Sequence, residues 1–176
     1  MRFGIVALAA AALLLVGCVP QPDATPTPSA TALPFATDDE AFAAAEATYR
    51  AYVDALNQVD LQDPDTFEPV YAWLGGQMLA SERRLLSQMH ADDWAISGNS
   101  KVERAWPITT GEISTIGICL QVSDVRVVDR DGKSVVGSSR PDTQEMQVTV
   151  VSSRSSPTGL VIDDISGLEA AGECTS

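Results

Sequence analysis

Hydrophobic and polar positions change their pattern three times along the 176 residues. Phe3 to Val16 is an unbroken apolar run, and Val19 to Thr37 has no period at all. From Phe42 to about Met89 the apolar residues recur every three or four positions, and from Val102 onward they alternate or run together in Ile- and Val-rich stretches. The third regime predicts helices and the fourth predicts strands.

The helical regime divides into three elements. Thr37-Asp38-Asp39-Glu40 reads as a capping box, in which the threonine hydroxyl accepts from the amide three residues on and the glutamate reaches back. Behind it Phe42, Ala45, Tyr49, Tyr52, Leu56 and Val59 fall on one helical face, with Glu46, Arg50, Asp54 and Asn57 largely off it. Asp65-Thr66-Phe67-Glu68 is a second start signal, with Pro69 tolerable in the first turn. That helix would carry Val70, Tyr71, Trp73 and Leu74 to a stop at Gly75-Gly76. A third helix is expected from Leu79 to Asp92, burying Leu85, Leu86 and Met89 while Glu82, Arg83 and Arg84 face water; Trp94-Ala95-Ile96 leaves it for a strand.

The strand regime contains Val102 to Ile108, the long run Ile113 to Asp129, Gln144 to Val151 and Leu160 to Ile165, with Asp129-Arg130-Asp131-Gly132 as a turn. In Gln144 to Val151 the apolar Met146, Val148 and Val150 alternate with Gln147 and Thr149. Helices first and antiparallel strands afterwards indicate an α+β class: about three N-terminal helices packed on a curved antiparallel sheet of about four strands.

The first two regimes lie outside that domain. Arg2 with the run to Val16 has the charge and length of a secretory leader, since about 20 apolar residues are needed to span a bilayer. Leu15-Val16-Gly17-Cys18 then resembles the lipobox of bacterial lipoproteins. The resemblance implies cleavage before Cys18 and acylation of its thiol, hence an anchor in the bilayer on the extracytoplasmic face of the cell membrane. The other reading of these residues is an ordinary signal peptide that leaves Cys18 free. Pro20, Pro22, Pro26, Pro28 and Pro34 among Thr, Ser and Ala make a stalk that cannot bury a core and that spans up to about 60 Å when extended. The expected organisation is a leader at 1–17, lipidated Cys18 and stalk at 18–37, and one domain at 38–176.

Charge narrows the partners. Loss of Arg2 with the leader leaves ten basic residues against 24 acidic ones, a surface that repels phosphate backbones and anionic head groups, so nucleic-acid binding is set aside. With Cys18 acylated, Cys119 and Cys174 remain as an even pair. In an oxidising compartment a disulfide is the default for them, against two free thiols. One histidine and two distant cysteines make no metal ligand set, and no motif implies a cofactor.

The order of elements, together with Tyr49-Arg50-Ala51-Tyr52-Val53-Asp54-Ala55-Leu56-Asn57, Phe67-Glu68-Pro69-Val70-Tyr71 and Ser87-Gln88-Met89-His90, is similar to actinobacterial lipoproteins of the NTF2-like superfamily. The resemblance implies a cone-shaped fold around a pocket, leaves a homodimer through the outer sheet face open, and does not select a function, because that fold hosts enzymes and accessory domains alike. Two hypotheses follow. One is a non-enzymatic binding or accessory module for a protein or a small apolar ligand. The alternative is a small dehydratase- or isomerase-type enzyme in which His90 and a pocket carboxylate act as base and acid.

Against the enzyme stands the plain reading of His90 as a residue near a helix C-terminus, where positive charge is welcome. Asp163 and Asp164 are strand neighbours that point to opposite faces, so one turns inward unless a bulge intervenes. Asp92-Asp93 is expected to mark a loop. Gly132-Lys133-Ser134 lacks the glycine of a phosphate loop, and Asp129-x-Asp131-Gly132 lacks two calcium ligands, which leaves a turn for both. Tyr49, Tyr52, Tyr71, Trp73, Trp94 and Trp106 read as core or as the lining of a pocket.

Overall fold

The computed structural model describes residues 35–111, 113–168 and 172–174. Cys18, the leader and the stalk up to Pro34 lie outside the described residues. Helix α1 spans Asp38–Leu56 and is capped by Thr37, whose hydroxyl accepts from the Glu40 amide at 3.2 Å. The Glu40 carboxylate reaches back to the Ala36 amide at 2.9 Å, which closes the box one residue earlier than expected. Ala45, Thr48, Tyr49, Tyr52 and Val53 form the buried face, so the contact is rotated from the expected one and Phe42 and Leu56 sit at its margin.

The second helical segment is shorter than its pattern suggests. A 3₁₀ turn at Pro64–Phe67 runs into the single turn α2, Glu68–Tyr71, and the chain then straightens. Leu74 bridges Ile162 in parallel, the Ile162 amide donates to the Trp73 carbonyl at 2.8 Å, and the Gly75 amide donates to the Ile162 carbonyl at 2.8 Å. Gly75-Gly76 is therefore a start and not the expected stop. Gly75 caps α3 at Gly76–Ala91, and Gly76 has φ +47°. A Cβ at Gly75 would lie 2.7 Å from Val161 Cγ2, so only glycine lets the backbone lie this close to the sheet.

Helix α3 ends at Asp92 and Asp93. The Trp94 amide donates to the Met89 carbonyl and the Asp93 amide to the His90 carbonyl, with Asp93 at φ 56°. This is a Schellman closure with aspartate where glycine is usual.

Strands β1 (Ala95–Ser97) and β4 (Arg126–Val128) pair as a small antiparallel ribbon. The main sheet has the order β2-β3-β5-β6, from β2 (Lys101–Thr109), β3 (Ile113–Gln121), β5 (Thr143–Ser152) and β6 (Leu160–Gly167). All three pairings are antiparallel. The expected long strand from Ile113 to Asp129 is broken because Val125 donates back to Val122 in a tight turn, which sends β4 to the ribbon.

Helices α1 and α3 lie on one face of this sheet, an α+β arrangement of the expected class. Ile116, Ile118, Val148, Val150 and Ile162 point to the helices and are fully buried against Tyr49 and Leu86. Both sheet edges are blunted. Residues 73–75 cover β6, while β2 carries Pro107, two register shifts and the Arg50 guanidinium, which donates to the Val102 carbonyl at 2.9 Å.

Candidate functional site

His90 stands in the last turn of α3 and is half-buried. Its Nδ1 lies 2.6 Å from the Leu61 carbonyl oxygen, which can only accept, so that nitrogen carries the proton. The ring meets Phe67 edge-on at 6.4 Å. The histidine thus ties the end of α3 to the segment that follows α1.

The carboxylates proposed to work with it are elsewhere. A register shift in β6 makes Asp163 the extra residue between Ile162 and Asp164, and both aspartates are exposed, so neither turns into the core. Asp163 reaches Gly76, where its Oδ1 would lie 2.6 Å from an added Cβ. Gly76 begins the helix whose last turn holds His90, so the two groups are about 20 Å apart at 1.5 Å per residue. The acid–base pair built on His90 and Asp163 or Asp164 is not assembled.

Among the described residues, the buried carboxylate is one that the hydropathy pattern assigned to water. Glu82 is 6% exposed, whereas Leu85, expected inside, is 51% exposed. Glu82, Leu86 and Met89 form the buried face of α3 at spacings of four and three. Burial raises the Glu82 carboxyl above the ordinary carboxylate range, and the Tyr52 hydroxyl, which hydrogen-bonds to it, partly offsets the rise. Burial chiefly, with Glu82 beside it, raises Tyr52 as well. Tyr49 and Tyr52 are core residues with ring centroids 5.9 Å apart, while Tyr71, Trp73, Trp94 and Trp106 are half-buried.

The outer face of the sheet is laid out in rows that cross the strands. Arg104, Cys119 and Glu145 are register partners on β2, β3 and β5, so their side chains share one face at one level. All three hold the C-terminal segment. Cys119 is joined to Cys174 in a disulfide with Cα atoms 5.6 Å apart. Arg104 donates to the Glu173 carbonyl at 2.8 Å and pairs with its carboxylate at 3.0 Å. The Glu145 carboxylate accepts from the amides of Gly172 and Glu173.

One row further, Trp106 partners Gly117, and its indole lies on the glycine so closely that a Cβ there would sit 2.1 Å from the ring. The Arg104 guanidinium stacks on the same ring at 5.4 Å. Beyond the tryptophan, Ile108 and Ile113 flank the β2–β3 connection at 41% and 60% exposure. A disulfide strap, a stacked Arg–Trp pair and an apolar corner therefore share this side of the molecule.

The remaining motifs have local jobs. The Asp129 carboxylate accepts from the amides of Asp131 and Lys133, and Gly132 has φ +77°, which makes a turn of the segment that superficially matched phosphate and calcium loops. Among the described residues no group of three His, Cys, Asp or Glu is placed to hold a metal ion, and no helix is long and apolar enough to cross a membrane.

No family model matches the chain, and no curated protein matches it. Among solved structures it is similar to CagV of Helicobacter pylori strain 26695, a VirB8 homologue of a T4SS, with TM-score 0.43, 9% identity and coverage of 72% of this chain and 99% of that one. It is similar to a periplasmic fragment of TraM, with TM-score 0.46, 12% identity and coverage of 74% and 96%. An NTF2-like protein of unknown function from Exiguobacterium sp. 255-15 is also similar, with TM-score 0.38, 14% identity and coverage of 66% and 98%.

Proposed function

We propose that this protein is a lipoprotein anchored on the extracytoplasmic face of the cell membrane through acylated Cys18, and that its domain at 38–176 is a non-enzymatic module that binds a protein partner. The observation that carries the reading is the distribution of apolar side chains. The space between helices and sheet is occupied by Tyr49, Leu86, Ile116, Ile118 and Ile162, whereas Ile108 and Ile113 stand in water at the β2–β3 connection, beyond Trp106 along the strands. Recognition then falls to the outer surface, where an aromatic ring under a guanidinium and, further along the strands, exposed aliphatic residues have the composition of an interface core. Use of His90 to hold a backbone carbonyl favours this over the dehydratase-type alternative.

The test is chemical cross-linking in native membranes, with a tag after Ser176 and mass spectrometry of what is joined to the protein. The expected result is one near-stoichiometric adduct, lost together with membrane association when Cys18→Ser is introduced. Recovery of the unmodified protein alone, or the same adduct from a released Cys18→Ser chain, contradicts the corresponding half of the proposal.

A further inference from the structure

Away from the sheet face, two arginines meet at the turn that breaks β3 from β4. Arg126 opens β4 and is exposed; Arg140 lies in the loop before β5 and is half-buried. Arg126 Nη1 donates to the carbonyls of Ser123 and Val125. Arg140 Nη2 donates to those of Val122 and Val125, each at 2.8 Å. The Val125 oxygen is shared, at 3.1 Å from Arg126 and 2.8 Å from Arg140, which holds the two cationic nitrogens within about 6 Å of each other.

Like charges this close repel, and an anion between them relieves the repulsion. The ion pairs of the described residues are Arg50–Glu46 and Arg104–Glu173, so neither of these guanidinium groups has a carboxylate at ion-pair distance among the described residues. The chain has 24 acidic residues to 11 basic ones, so carboxylates are not in short supply. Asp142 borders the same pocket and Asp124 receives the Ser123 hydroxyl at 3.5 Å, yet neither closes on an arginine.

Both arginines line a pocket of about 270 Å³, together with Ser123, Ser134, Ser138 and Asp142. The bonds to the turn engage Nη1 of Arg126 and leave its Nε and Nη2 as a fork, whereas they engage Nη2 of Arg140 and leave its Nε and Nη1 as separate donors. The Arg126 fork, the separate Arg140 donors and the Ser138 hydroxyl match the oxygens of a phosphate group, to which an Arg fork binds bidentately. The rest of the surface is acidic and opposes the approach of an anion, so retention depends on these short-range bonds.

We propose that the pocket between the β3–β4 turn and the 129–142 loop is a binding site for a phosphate-type oxyanion, held by Arg126 and Arg140 with the Ser138 hydroxyl beside them. Inorganic phosphate and a phosphate ester present the same group, and the pocket exceeds the volume of the ion, so both belong in the experiment. The full chain in detergent micelles is titrated with inorganic phosphate, glycerol phosphate and acetate at matched ionic strength, followed by amide chemical shifts and calorimetry.

The expected result is saturable phosphate binding, with shifts confined to residues 123–142 and affinity reduced about fivefold or more in Arg126→Gln, whose melting temperature stays unchanged. Tighter binding of glycerol phosphate assigns the site to an ester, and equal or weaker binding assigns it to the free ion. Absence of a saturable response, equal affinity in Arg126→Gln, or acetate binding as tightly as phosphate overturns the proposal. Arg126 is the residue to change because its two carbonyl bonds are exposed and stay within its own turn, whereas those of Arg140 tie the 129–142 loop to that turn.

Discussion

At Glu82 the side chain combines a carboxyl group with the surroundings of a core residue: it is 6% exposed on the helix face that contains Leu86 and Met89. Its pKa is raised from the ordinary 4.5 mainly by desolvation, so the folded protein holds this proton more tightly than the unfolded chain does. The stabilising contribution is therefore fully present below pH 4.5 and is lost as pH rises through the elevated folded value. Glu82→Gln keeps an acceptor for Tyr52 and removes the charge. Relative to the wild type it is expected to gain about 1 kcal/mol near neutral pH and nothing in acid. Denaturant melts of both proteins across that range check this; parallel curves would contradict it. Residue periodicity was readable here even though the hydrophobic weight was not. Glu82, Leu86 and Met89 have the correct spacing for one face, but the adjacent leucines drew Leu85 into the core and pushed the glutamate out.

Among the elements, those with a long period and a local cap were the legible ones. Helix α1 starts at its capping threonine, β2, β5 and β6 cover their expected stretches and run slightly past them, and β3 lies inside its expected run. What escaped were features set by contacts between distant segments. Gly75-Gly76 has the signature of a helix stop, and it becomes a start because β6, almost ninety residues on, takes the backbone of residues 73–75 as a neighbour. Likewise the Ile113–Asp129 run reads as one strand because its local turn signal, the pair Ser123-Asp124, is short and flanked on both sides by Val-rich stretches. The register that aligns Arg104, Cys119 and Glu145 beneath the C-terminal segment was equally hidden, although the cysteine pairing itself followed from count and compartment.

This strap carries a prediction of its own. The disulfide bridges a sequence separation of 55 and stabilises by at most about 4 kcal/mol in the chain-entropy account. Cys174→Ser is expected to lower stability by about 2 kcal/mol or more and to raise amide exchange at Gly172 and Glu173, with the inner face of β5 still protected. Loss of protection throughout the sheet would instead make the bridge a requirement for the fold.

For the molecule as a whole, a filled interior and a strongly acidic, partly apolar exterior give a consistent division: the helices and the inner sheet face maintain the structure, and the proposed function assigns recognition to the outer face. A formal charge of −13 keeps such a domain soluble and sets the sign of a complementary surface, which would be basic. The site itself was only partly legible. Trp106 was noted as a large ring, but its place on Gly117 and its stacking with Arg104 arise from the β2–β3 pairing.

The most direct test of this account is a photoreactive residue introduced at Ile113 in cells, with the same probe at Leu85 on α3 as the comparison, since both positions are well exposed. The account predicts a discrete protein adduct of one mass from position 113 and none of that mass from position 85. No adduct from 113, or an identical pattern from both positions, would contradict recognition through the outer sheet face.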